Sequence, residues 1–240
     1  MGSITTAIFN FLLKIFVRPK KDVDKPLYPP ESYNPTPPPQ EKKSEVETIK
    51  ETVNKKEMVN KVNFYSCIRE KGLFKTLTQM QVDSIDAILF ECERQGVEDL
   101  RQVAYVMATA YWECHNPRKP ELRMTPMREF GGEAYLKGKK YYPYVGMGFS
   151  QLTWPDNYKK ESKRLGIDLI NHPELILDIK TAANSHVYCM VHGSYTGKKL
   201  SDYINDKKCD FPNSRRIVNG TDKMNEIAAI AEKFLGCLTA

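Results

Sequence analysis

Apolar positions are bunched at the start of the chain, thin out over the next forty residues, and from Val62 onward recur at helical spacing. Residues 4–17 are apolar except for Thr5, Thr6, Asn10 and Lys14. At about 14 residues the run is shorter than the roughly 20 that span a bilayer as a helix. Arg18, Lys20 and Lys21 follow it instead of preceding it, which is not the layout of a cleaved secretory leader. The expectation is a segment (residues 1–18) lying on the inner membrane face or docked in a partner such as a virion, with a loose apolar tail as the alternative. Met1, Gly2 and Thr6 also fit a myristoylation pattern, but three fixed positions are a weak signal. Residues 19–61 form the expected linker. Eight prolines between Pro19 and Pro39 favour an extended spacer. Residues 40–61 then mix Lys and Glu with few apolar positions, the pattern of a solvated helix or a tether.

Residues 62–240 carry the pattern of a packed domain, of a size that buries roughly 70% of its unfolded surface. Thr78 and Gln81 make a capping box, after which Ile85, Ile88, Leu89 and Cys92 share a face of a helix ending near Gln95 and Gly96. Asp99 caps a second helix whose stripe is Leu100, Val103, Ala104, Met107 and Tyr111, and which runs into Trp112 and Glu113. Further helices are predicted at 155–165, 179–193, 200–205 and 222–238, with Pro and Gly between them. Residues 143–154, PYVGMGFSQLTW, read instead as a short strand or hairpin. The predicted fold class is therefore mainly α, an α+β arrangement of helices with a short β-hairpin.

Composition narrows the chemistry. Of 240 residues 28% are charged, and the formal charge of +6 favours an acidic partner without naming one. The lysines alternate with glutamates and do not form one basic stripe, so no nucleic-acid partner is expected. The six cysteines lie far apart, with no CxxC pair and no His at zinc-ligand spacing, so free thiols and no metal site are expected. His186 and His192 are six apart on a predicted helix and face different sides, and neither they nor His115 and His172 pair at metal-ligand spacing with Cys or acids. No GxGxxG, P-loop or HExxH stretch occurs, and no cofactor is expected.

Carboxylates are the remaining candidates. Glu161, Asp168 and Asp202 sit among Lys and Ser on what should be wet helix faces. Glu113 lies among Tyr111, Trp112 and Cys114, and Glu129 beside Phe130 and two glycines, so both are candidates for partial desolvation, which suits a carboxyl group to acid catalysis. Two fixed acids flanking a groove are what cleavage of a glycosidic bond requires.

Six stretches add a resemblance. These are residues 73–89, LFKTLTQMQVDSIDAIL; 100–113, LRQVAYVMATAYWE; 124–131, MTPMREFG; 144–158, YVGMGFSQLTWPDNY; 165–178, LGIDLINHPELILD; and 214–222, SRRIVNGTD. Taken in this order they resemble the family 19 glycoside hydrolases of the lysozyme superfamily, in the compact form found in phage and prophage endolysins. The resemblance implies an inverting hydrolase of β-1,4-linked, N-acetylglucosamine-containing glycan, with Glu113 as general acid, Glu129 as general base and Thr153 holding the attacking water. It implies sugar contacts from Gln151 and Asn219 and a carboxylate steadied by Arg216. Asn157 and Tyr158 belong to the same motif, and Gly146 and Gly148 would let the backbone pass near a sugar. Tyr141, Tyr142 and Tyr144 could offer stacking surface.

The sequence departs from the family pattern at three places. Trp112 stands where His usually precedes the acid, Met147 stands where Arg usually separates the two glycines, and residues 115–122 lengthen the gap between the glutamates. The leading expectation is an endolysin that degrades peptidoglycan, made in the host cytoplasm or held at the inner membrane face. The alternatives are a chitinase-type hydrolase, a virion or injection-machine component, a noncatalytic glycan-binding protein, and a lytic transglycosylase.

Overall fold

The computed structural model describes residues 59–240. The expectations for the apolar run, the myristoylation pattern, the proline spacer and nearly all of the Lys/Glu segment lie outside the described residues. Helix α1 (Lys61–Glu70) is capped by Asn60, whose side chain accepts from the Asn63 amide. Helix α2 (Gln79–Arg94) starts at the capping box read from the sequence: the Thr78 hydroxyl accepts from the Gln81 amide, and the Gln81 carboxamide accepts from the Thr78 amide. The same Gln81 donates to the carbonyls of Pro120 and Arg123, fastening the inserted loop 115–122 to α2.

Helix α3 (Leu100–Glu113), capped by Asp99, is the centre of the core. Its sequence pattern suggests a stripe, yet residues 103–110 are buried without a break. The small side chains of Ala104, Ala108 and Ala110 let neighbours close on it from several sides. The C-terminal helix α9 (Met224–Leu238) packs chiefly on α3, and α2 packs on α6 (Ile179–His192). Between them in the chain come α4 (Glu133–Lys137), α5 (Pro155–Leu165), α7 (Leu200–Tyr203) and α8 (Phe211–Ser214). Among the described residues no helix is long and apolar enough to cross a membrane.

Two small antiparallel sheets complete the fold. Strand β1 (Met127–Arg128) pairs with β2 (Met147–Gly148), Met127 opposite Gly148 and Arg128 opposite Met147. A bridge from Met147 to Leu152 turns the following residues back on β2, so the predicted hairpin in 143–154 has a partner strand that the sequence does not reveal. Strands β3 (Ile204–Asn205) and β4 (Lys208–Cys209) form the second sheet and correct the predicted helix at 200–205, which stops at Tyr203. Ile204 is β-branched and fully buried, and its carbonyl accepts from the Gln102 side chain, a bond that favours the extended form there.

The cysteines bring a second correction. Cys67 on α1 and Cys237 on α9 form a disulfide across a sequence separation of 170, while Cys92, Cys114, Cys189 and Cys209 are free. The pairing follows from packing, because Phe64 on α1 stacks on Phe234 on α9 with ring centroids 6.5 Å apart, bringing the two ends of the domain together.

Candidate active site

Glu113 is the last residue of α3, and its carboxylate is ion-paired with the guanidinium of Arg215. The pair is nearly dry, with side chains 10% and 1% exposed. Arg215 Nε also donates to the Asp222 carbonyl at 3.2 Å, so the guanidinium is fixed from two sides. The arginine expected to steady a carboxylate was Arg216. That expectation is corrected by one position: Arg216 is exposed, and its Nε donates to Asn213 Oδ1 at 3.3 Å. The chain passes from α8 into a 3-10 turn at Arg215–Ile217, where adjacent side chains diverge and one of the two arginines must face out.

Glu129 follows β1 and is held at both oxygens. Its amide donates to the Gly146 carbonyl at 2.6 Å and its Oε2 accepts from the Gly146 amide at 3.1 Å. Its Oε1 accepts from the Tyr141 hydroxyl at 2.9 Å. The two bonds fix the orientation of the carboxylate. Cys114 connects the two glutamates. Its thiol, the next residue after Glu113, donates to the carbonyls of Gly148 and Phe149 at 3.6 and 3.4 Å, and β2 in turn pairs with β1 ahead of Glu129. Burial, with Glu113 adjacent, pushes the Cys114 thiol well above its ordinary pKa, so it remains a neutral donor.

The stretch from Gln151 to Trp154 borders Glu129. Gln151 and Trp154 have φ of 55° and 78°, the left-handed region that residues with a β-carbon rarely enter. Strain of this kind persists where surrounding contacts fix it. A β-carbon on Gly146 would lie 2.8 Å from Gln151 Oε1 and 3.3 Å from Thr153 Oγ1. A side chain there would have to displace the Gln151 carboxamide and crowd Thr153, beside the backbone that holds Glu129. Gln151 Nε2 donates to the carbonyls of Met127 and Gly148, which makes it a brace across the β1–β2 sheet. The Thr153 hydroxyl donates to the Gln151 carbonyl at 2.7 Å and keeps its lone pairs free to accept.

The remaining candidates support this loop or its surroundings. Asn157 Nδ2 donates to the Thr153 carbonyl at 2.8 Å. Tyr158 is fully buried and its hydroxyl donates to the Val145 carbonyl, so it is a packing residue. Tyr144 packs against Tyr158 and donates to the Ile170 carbonyl. Tyr141 is 2% exposed, which removes it as stacking surface. Asn219 is buried beside Arg215, its amide donating to the Arg215 carbonyl and its Oδ1 accepting from Gly220. Met147 is buried with Phe149, Leu152 and Ile176, on the inner side of the sheet.

His186 is a contributor that spacing rules pass over. Its Nε2 donates to the Val106 carbonyl at 3.0 Å, and its Nδ1 accepts from the hydroxyl of Ser150, the residue before the strained loop. Burial lowers its pKa from 6.5 to about 4. The neutral ring therefore belongs to the fold, while the unfolded chain takes up a proton near 6.5. Stability from this group is complete above about pH 6.5 and drains away as pH falls toward 4, by roughly 3 kcal/mol in all. Urea midpoints measured from pH 7 to 4 should fall more steeply in the wild type than in His186→Gln. Parallel slopes would show that the ring is not held neutral.

No family model matches the sequence, and no curated protein sequence matches it. Solved structures do match. A bacterial family 19 chitinase aligns over 75% of this chain and 95% of its own, with 20% identity and a TM-score of 0.53. Chitinase C from Streptomyces griseus HUT6037 aligns over 78% of each chain, with 16% identity and a TM-score of 0.53. The described residues thus have the mainly helical fold of these two chitinases.

Proposed function

We propose that the chain is a glycoside hydrolase that cleaves β-1,4 bonds of an N-acetylglucosamine-containing glycan, with peptidoglycan as the substrate and inversion as the stereochemical course. The observation that carries this reading is the pair of unlike carboxylates on one fold: Glu113 beside a buried guanidinium, and Glu129 gripped at both oxygens, one of them by Gly146, against which the Thr153 hydroxyl lies. Glu113, once it has taken up a proton from solvent, passes it to the leaving oxygen, and Arg215 pairs with the carboxylate that this step leaves behind. Glu129 takes a proton from a water whose other hydrogen is accepted by Thr153. The likeness to chitinases supports a glycan substrate. The positive charge of the chain favours the acidic peptidoglycan over neutral chitin. The Cys67–Cys237 disulfide suits work outside a reducing cytoplasm, on the wall side of the membrane.

The test is incubation of the full chain with purified peptidoglycan and, separately, chitin oligomers, following new reducing ends and their anomeric form by NMR. Reducing ends from peptidoglycan that first appear as the α-anomer are expected, because one displacement by water inverts a β-linkage. First appearance of the β-anomer would replace the two-glutamate water mechanism by a retaining one, and an anhydro sugar would replace it by transglycosylation. Cleavage of chitin alone would change the substrate.

A further inference from the structure

We infer that Tyr141 is a positioning residue that holds the carboxylate of Glu129 and the Gln151–Trp154 loop in register with each other; the inference rests on the reading of Glu129 as the water-activating base. One buried side chain touches both parts. Its hydroxyl donates to Glu129 Oε1 at 2.9 Å, and its ring meets the ring of Trp154 edge-on with centroids 5.2 Å apart. Trp154 holds a φ of 78° and is pinned by its amide, which donates to the Tyr144 carbonyl at 3.0 Å. Between the two strained positions 151 and 154 stands Thr153, whose hydroxyl lies against Gly146, and Gly146 carries the second bond to Glu129. A displacement of the Tyr141 ring would therefore move Trp154, with it Thr153, and the base at the same time.

The phenol is suited to this task. Burial, and then its bond to Glu129, push its pKa far above the ordinary tyrosine range, so it stays a donor at every working pH. With the phenol on one oxygen and the Gly146 amide on the other, the carboxylate cannot turn about its last torsion without breaking a bond. Each oxygen keeps a lone pair for the attacking water. A tyrosine present only to fill space would be matched by phenylalanine, which keeps the ring against Trp154 and removes the hydroxyl alone.

Tyr141→Phe, made in the full chain and assayed on the glycan the wild type cleaves, separates the two. A fall in kcat of roughly 10- to 100-fold is expected from losing a hydrogen bond to a charged group. KM should stay within about twofold, because the substrate contacts are left in place. Tyr141→Leu, which also removes the ring contact, should lower kcat further. An unchanged kcat in Tyr141→Phe would overturn the inference, as would a loss of activity that merely tracks the folded fraction. Glu129→Gln distinguishes this from failure of the parent reading. An inactive Glu129→Gln beside a normal Tyr141→Phe removes only the role of Tyr141, whereas an active Glu129→Gln removes the base and the positioning role together.

Discussion

Glu113→Gln is expected to slow glycan cleavage roughly 1,000-fold, the range for loss of a positioned general acid, and to destabilise the fold as well. The second effect follows from Arg215. Its side chain is 1% exposed, and the carboxylate of Glu113 is the acid that pairs with it. Glutamine keeps an oxygen in place to accept from the guanidinium but removes the balancing charge. Leaving a buried cation unpaired costs roughly 3 kcal/mol or more. A slow variant would then have two explanations, lost chemistry or lost fold. Glu113→Gln with Arg215→Met resolves them, because replacing both members of a buried ion pair with uncharged side chains of similar length is often near neutral. The double variant should regain most of the urea stability lost by Glu113→Gln while its turnover stays at least about 100-fold below wild type. Turnover that returns with stability would withdraw Glu113 from the acid role, and near-wild-type turnover in the single variant would do so directly.

What the sequence made legible is what depends on neighbours within one or two helical turns. The capping box at Thr78 and Gln81, the Asp99 cap and the placement of Glu113 at the end of α3 are local, and each is found where the pattern puts it. The short strands are not local. β1 is two residues long and stays extended because β2 lies beside it twenty positions later, a length at which no alternation can show. The same limit explains Arg215 and Arg216. The family resemblance of the SRRIVNG stretch implies an arginine beside a carboxylate and pointed to Arg216, but which of two adjacent arginines turns inward depends on the pitch of a three-residue 3-10 turn. Tyr141 was legible as an aromatic near the site, and its burial was not, since that depends on Trp154 adopting a backbone conformation unusual for its type. Cys114 and His186 gave no pattern at all, because a buried thiol or imidazole that bonds to backbone carbonyls has no partner residue type to recognise.

The disulfide between α1 and α9 was hidden for the same reason, and its loss should change stability about as much as breaking the Glu113–Arg215 pair. Spacing rules look for cysteines close in sequence, whereas Cys67 and Cys237 are 170 positions apart and meet through the packing of the first and last described helices. Closing so long a loop removes much freedom from the unfolded chain, worth roughly 3–5 kcal/mol in the chain-entropy account. For a domain of this size that corresponds to a fall of about 10 °C in Tm. Reduction, or Cys67→Ser with Cys237→Ser, should produce this shift, and thiol labelling of the denatured protein should find four free cysteines before reduction and six after. Six thiols without reductant, or a Tm indifferent to reductant, would show that the bridge does not form. The consequence reaches the candidate active site, since Phe234 on α9 meets Tyr111 on α3 at 5.9 Å, two residues before Glu113. Once the bridge is open, thermal loss of glycan cleavage should therefore begin at the same lowered temperature as unfolding, because the helix that carries the acid is packed on the helix that the bridge secures.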